Sequence, residues 1–98
     1  MNRTLSEQER EENLPALIAS GWEQTGDRDA IHKRFVFGDF VSAFGFMTKA
    51  AIWAEKLNHH PEWTNVYRTV DVTLSTHDAG GLTGLDVTLA TRLDELDG

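Results

Sequence analysis

Apolar residues recur along this chain at two periods, and the switches between them mark its elements. Leu14, Leu17 and Ile18 form a helical stripe behind Ser6-Glu7-Gln8-Glu9, whose Ser and last Glu stand at capping-box spacing. Glu7, Glu9, Glu11 and Glu12 favour the positive end of that helix, Pro15 perturbs it, and Gly21 ends it. Residues 22–25 and 30–37 then read as a hairpin around the turn formers Gly26-Asp27-Arg28-Asp29, with Ile31, Phe35 and Phe37 at even spacing. Asp39 is placed to cap a long helix, Phe40–Leu57.

At 100° per residue, Phe40, Ala43, Phe44, Met47, Ala51 and Ala54 share one face of that helix. Phe46, Ala50, Trp53 and Leu57 form a second face beside it, and Val41 and Ile52 add apolar surface almost opposite. A helix touching one sheet alone needs a narrower stripe, so burial against a second copy of the chain is expected. Pro61 is expected to stop the helix, because it disfavours helical geometry at His60.

Residues 64–67 and 70–76 read as a second hairpin around Arg68-Thr69. Val70, Val72 and Leu74 lie on one face, and Asp71, Thr73, Ser75 and His77 on the other. Asp78-Ala79-Gly80-Gly81 is a loop whose glycines are expected at positive φ. Thr83 and Asp86 open a last helix carrying the stripe Leu85, Leu89, Ala90, Leu93 and Leu96. The order is α-β-β-α-β-β-α. Residues 1–98 are read as a single α+β domain, a four-stranded antiparallel sheet with helices packed on one face.

Composition narrows the function classes. The chain has 98 residues, 40% hydrophobic and 26% charged, with 9 Lys+Arg against 16 Asp+Glu and a net charge of −7. Such a surface repels phosphate backbones and anionic lipid, which argues against nucleic-acid and membrane partners. There is no cysteine, hence no disulfide, no thiolate nucleophile and no Cys-ligated zinc, as suits a reducing compartment. The polar, acidic first residues lack the apolar core of a signal peptide, and a cytoplasmic location is expected.

Three of the four histidines gather at element junctions. His59 and His60 follow the long helix, and His77 follows the last strand, which pairs with the strand beginning after Pro61. Adjacent helical residues point 100° apart, so His59 and His60 share a target only where the chain leaves the helix. Imidazoles of this kind suit general acid–base work near neutral pH. Ligation of a metal by the same three is the rival reading, without a Cys or a His-x-x-x-His spacing to support it. Trp22, Trp53 and Trp63 read as core or interface, though Trp63, close to His60, could wall a pocket for a flat ring; Glu55 and Glu62 read as solvated charges, with orientation of His59 or His60 as the minor reading. His32 reads as ordinary surface. No glycine-rich phosphate loop and no Gly-x-Ser-x-Gly elbow is present.

The run Glu55-Lys56-Leu57-Asn58-His59-His60-Pro61-Glu62-Trp63, with Asn65-Val66-Tyr67 and Thr73-Leu74-Ser75-Thr76-His77, resembles the pterin-4a-carbinolamine dehydratases. Leu14-Pro15, Gly21-Trp22, Arg28-Asp29-Ala30-Ile31, Asp39-Phe40 and residues 43–48 also look like family positions, so the resemblance covers nearly the whole chain. It implies a lyase that dehydrates the 4a-hydroxytetrahydropterin left by aromatic amino-acid hydroxylases. The product is quinonoid dihydropterin, recycled by a separate reductase, and the reaction needs no metal or other cofactor.

The resemblance makes His59, His60 and His77 the catalytic set, with Asn58, Pro61, Ser75, Thr76 and Asp78 as further substrate-binding positions. Glu55 and Trp63 become candidates for the pocket or its support. It also implies assembly as a homodimer or homotetramer, for which the Phe40–Leu57 helix is the expected surface. Animal members bind a homeodomain transcription factor and stabilise its dimer, which makes a protein-binding module the alternative function. The chain departs from animal members in carrying Asn58 for Asp, Asp78 for Glu and Leu85 for Arg.

Overall fold

The computed structural model describes residues 3–97. Its elements are α1 (Glu7–Ala19), β1 (Glu23–Gln24), β2 (Ile31–Val36), α2 (Phe40–Leu57), β3 (Glu62–Val66), β4 (Thr69–Leu74), a single 3-10 turn (His77–Ala79) and α3 (Gly84–Asp97). All strand pairs are antiparallel, in the order β1-β2-β4-β3. This is the expected α+β architecture, and the sheet centre is built by two strands distant in sequence.

Each helix start is as its residues dictate. The Ser6 hydroxyl accepts from the Glu9 N–H while the Glu9 carboxylate accepts from the Ser6 N–H, a complete capping box. Asp39 accepts from the Ser42 N–H and opens α2. Pro15 sits inside α1 without ending it.

The core lies between the helices and one face of the sheet. Ile31, Phe35, Val70, Val72 and Leu74 are buried there against Leu14, Leu17, Ala43, Phe46, Ala50, Leu89 and Leu93. Burial alternates strictly along β4, as period-two patterning requires. On the open face His32 is half-buried and shares the Asp71 carboxylate with Arg34, both at 3.0 Å, which is more than the idle surface position expected of it. Trp22 is fully buried, its ring edge on Phe35 and its indole N–H on Asp94.

Three local expectations need correction. The chain leaves α2 at Asn58, whose φ of 50° and ψ of 45° are left-handed, so the helix stops before Pro61 can act. Asn tolerates that conformation because its short amide finds local partners. The second hairpin turns at Tyr67-Arg68, one residue earlier than expected, with Tyr67 at φ 53° and Val66 paired to Thr69. Finally, Gly80 has positive φ, but Gly81 is required for another reason. A Cβ at Gly81 would stand 2.3 Å from an Asp29 carboxylate oxygen, so only glycine lets the loop close on Asp29.

The helical circumference of α2 divides sharply. Ala43, Phe46, Ala50 and Ala54 are buried, whereas Phe40, Val41, Phe44 and Ile52 are exposed. The face expected to run from Phe40 to Ala54 is thus split between core and surface. No helix among the described residues is long and apolar enough to cross a membrane.

Candidate active site

The left-handed turn at Asn58 sends the chain from the end of α2 back over the start of α3. The His59 N–H donates to Ala54 O at 3.0 Å, closing that turn. His59 is consequently buried, with Nε2 2.5 Å from Oδ1 of Asp86, while His60 swings outward to place Nε2 2.5 Å from Oε2 of Glu55. The two neighbours therefore part, one toward the interior and one along the rim.

Asp86 explains why the imidazole can be buried there. It is completely buried in the first turn of α3, and its Oδ2 accepts from the Thr76 hydroxyl at 2.8 Å and the Thr83 N–H at 2.9 Å. Thr83 in turn caps α3, its hydroxyl accepting from the Leu85 N–H and lying 2.7 Å from the Thr76 hydroxyl. His59, Thr76, Thr83 and Asp86 are the buried polar side chains among the described residues, and all four bond to one another in one cluster. A carboxylate that spends Oδ1 on Nε2 holds the hydrogen there and leaves Nδ1 of His59 with its lone pair.

His77 approaches from the other side. Thr76 and Gly81 pair as an isolated bridge, and Gly80 N–H donates to the Thr76 and His77 carbonyls. That closes a tight turn which presents His77 to solvent at the end of β4. Because β3 pairs with β4 at Glu62 and Thr73, the turn lies beside the chain leaving His60.

One cleft of ≈ 450 Å³ collects these groups. Asn58, His59, His60, Ser75, Thr76, His77 and Asp78 line it, together with Glu62 and Leu85. Pro61 is absent from that lining. Trp63 is not a pocket wall: it lies on the helix-covered face of β3 and packs against the core. Period-two alternation from Glu62 decides this, since Glu62 faces the cleft. Glu55 and Glu62, read as solvated charges, both have partners, Glu55 on His60 and Glu62 on the Arg28 guanidinium at 2.5 and 3.0 Å. Arg28 holds the Glu62 carboxyl below its usual range.

The anchor Asp86 was missed as a site residue, although the Thr83-x-x-Asp86 spacing of a capping box was visible. Among the described residues no group of three potential ligands is placed to hold a metal ion, and Nε2 of His59 is already committed to Asp86.

Fold and site together define a small α+β protein with an imidazole-lined cleft. Residues 3–96 match the family model described as Pterin 4 alpha carbinolamine dehydratase, and the chain belongs to that family of dehydratases, which are hydro-lyases. It is 59% identical over its full length to a provisionally named pterin-4-alpha-carbinolamine dehydratase of Roseobacter denitrificans, also covered in full. It is 58% identical over 92% of its length to the pterin-4-alpha-carbinolamine dehydratase of Drosophila melanogaster, of which it spans 47%. A crystal structure described as a transcriptional coactivator/pterin dehydratase from Brucella melitensis superposes with a TM-score of 0.91 at 49% identity, covering 98% of this chain and 100% of that one.

Proposed function

We propose that this protein eliminates water from the 4a-carbinolamine of a tetrahydropterin by histidine acid–base catalysis, in the recycling of that cofactor. The observation that carries the reading is the convergence of three imidazoles from two separate junctions on one cleft, with one of them anchored by a buried carboxylate. The elimination balances simply. A proton is delivered to the departing 4a-hydroxyl, which leaves as water; the N5–H proton is taken up; and the C4a–N5 bond becomes double. Two imidazoles can serve those two atoms and exchange their protonation states with solvent between turnovers.

In this reading His59 and His77 transfer the protons and His60 positions the ring. Asp86 orients His59 and stabilises its imidazolium, as a buried carboxylate does for a catalytic histidine elsewhere. Asn58, Ser75, Thr76 and Asp78 supply the polar edges that meet the pterin. The exposed Phe40, Val41, Phe44 and Ile52 support pairing of α2 with a second copy as homodimer or homotetramer.

Stopped-flow loss of the 4a-carbinolamine tests the reading. The native protein accelerates the step over its spontaneous rate, and His59→Ala and His77→Ala each lower it by ~10²-fold. Undiminished activity in the His59→Ala, His77→Ala double variant overturns the assignment. A protein-binding module, such as a dimerisation cofactor of a transcription factor, is the second reading. It draws on the same exposed α2 face and on the coactivator description of the Brucella protein. Capture of a hetero-partner by a protein with dispensable histidines distinguishes it.

A further inference from the structure

β2 and β4 pair as far as Ile31 and Leu74, so the residues just past that pair, Asp29 on one side and Ser75-Thr76 on the other, still run side by side. Beyond them the chain makes the turn that presents His77. Asp29 has no part in the proton transfers proposed above, yet it is bonded to both ends of that turn. We propose that Asp29, held in place by Arg10, is the positioning residue of His77. The inference rests on the dehydratase reading, in which His77 transfers a proton.

The three imidazoles differ in how they are held. His59 has Asp86 on its Nε2 and His60 has Glu55, whereas among the described residues no carboxylate is bonded to the ring of His77. His77 is exposed, and its placement comes from the backbone that carries it. The turn fixes its own shape. Thr76 and Gly81 exchange two backbone bonds, of 2.9 and 3.3 Å, and the Gly80 N–H closes on the Thr76 and His77 carbonyls. Those bonds are internal, and alone they leave the turn free to swing as a unit on its stems.

Asp29 takes hold of both stems. Before His77, the Ser75 hydroxyl donates to the Asp29 carbonyl at 2.9 Å. After it, the Leu82 N–H donates to Asp29 Oδ2 at 3.0 Å, and Gly81 passes so close to the same oxygen that a Cβ would collide with it. The carboxylate is fixed in turn by both terminal nitrogens of Arg10 at 2.8 Å, a fork that sets orientation as well as distance. Arg10 Nε also donates to the Leu5 carbonyl at 3.0 Å, and the Leu5 N–H donates to the Leu82 carbonyl at 2.8 Å. Arg10, Asp29, Leu82 and Leu5 thus close a circuit of hydrogen bonds that ties the far stem to the start of α1. Thr76 ties the near stem to Asp86, and through it to His59. With the circuit intact the turn is held at two places. Without it the turn pivots at Thr76, and the separation of His77 from His59 is no longer fixed. Two groups that serve neighbouring atoms of one substrate need that separation. Neither Arg10 nor Asp29 lines the cleft of the imidazoles, so both act through His77.

A double-mutant cycle in kcat tests this. Asp29→Ala is expected to lower kcat for dehydration about tenfold with KM within about twofold, since the geometry of the reacting groups is lost and not substrate binding. Arg10→Ala leaves the Asp29 bond to Leu82 available and is expected to lower kcat about threefold, and it serves where Asp29→Ala fails to fold. In a His77→Ala background either change is expected to alter kcat by less than about twofold, because the group it positions is gone. A general loosening of the fold would instead carry its full factor into that background. Backbone amide relaxation by NMR gives a readout independent of activity. Order parameters of residues 77–80 should fall from roughly 0.85 toward 0.6 in both variants, with that of His59 unchanged. Losses that multiply in full in the double variants, or a turn as ordered as in the native protein, overturn the positioning role and leave the dehydratase reading standing. Undiminished dehydration in His77→Ala overturns the catalytic assignment of His77 and the role of Asp29 with it.

Discussion

Two carboxylate–imidazole pairs of the same 2.5 Å length lie on either side of one chain turn, and they have different physical meaning. His59 with Asp86 is buried, the side chains 9% and 0% exposed; His60 with Glu55 stands in water, at 58% and 78%. Distance alone does not separate them. In water the exposed pair gains little, because solvent and salt screen it and two mobile side chains must be ordered. In the interior the pair is expensive to create and far more expensive to break, since either partner left alone is an uncompensated polar group. The interior pair therefore has fixed geometry and the rim pair adjustable geometry. An acid–base group requires the first, and a side chain that contacts bound substrate without transferring a proton tolerates the second.

Removing the buried carboxylate should give the largest effect. Asp86→Ala strands Nε2 of His59, the Thr76 hydroxyl and the Thr83 N–H together, and should cost about 3–5 kcal/mol of stability. For a domain of this size that lowers Tm by more than about 10 °C in a melt followed by circular dichroism. Asp86→Asn keeps the shape and most of the bonds. It should melt much closer to native yet lose dehydration by about as much as His59→Ala, because the amide no longer stabilises an imidazolium. A loss under ~1 kcal/mol in Asp86→Ala would place the pair on the same footing as the rim.

Arg10 and Asp29 form an intermediate case, 27% and 33% exposed, with two parallel 2.8 Å bonds. The Arg10 guanidinium, aided by the Leu82 N–H, holds the Asp29 carboxyl below its ordinary range against the opposing effect of burial. A depressed carboxyl contributes stability that is present above the unfolded value of ~3.9 and is lost as pH falls through the lower folded value. Arg10→Ala should thus cost about 1–2 kcal/mol at pH 7, measured by urea unfolding, and the gap to native should narrow below about pH 4. A gap that persists undiminished at pH 3 would assign the loss to the Arg10 stem and not to its charge.

What the sequence revealed follows the same division between local and distant causes. Helix starts at Ser6 and Asp39 and the alternation of β4 were legible because neighbours a few residues away decide them. The cleft residues Asn58, His59, His60, Ser75, Thr76, His77 and Asp78 were legible too, since strand pairing brings their two junctions together. The missed features depend on long-range packing. Asp86 lies 27 positions from His59 and reads locally as a helix-cap residue, and Glu62 is tied to Arg28, 34 positions away. Trp63 packs against the core, the commoner reading for such a residue, because closeness in sequence to His60 says nothing about which face of β3 it occupies. Gly81 resembled a turn glycine, whereas its need is room for Asp29, visible only once the loop has closed.

The smallest expected effect completes the contrast at the rim. Glu55→Gln keeps a hydrogen-bonding group beside His60 while removing the charge, and both side chains remain mostly in water. Stability should shift by less than ~1 kcal/mol, and raising ionic strength should bring native and variant closer, since screening already weakens the native pair. On the proposed assignment, in which His60 positions the ring and His59 transfers a proton, the dehydration rate should fall by less than about tenfold, far short of the loss on replacing His59. Rates in Glu55→Gln and Asp86→Asn, each taken relative to native at two salt concentrations, make the decisive measurement. Salt should reduce the Glu55→Gln difference and leave that of Asp86→Asn unchanged, because ions reach the rim and do not reach a carboxylate with no exposed surface.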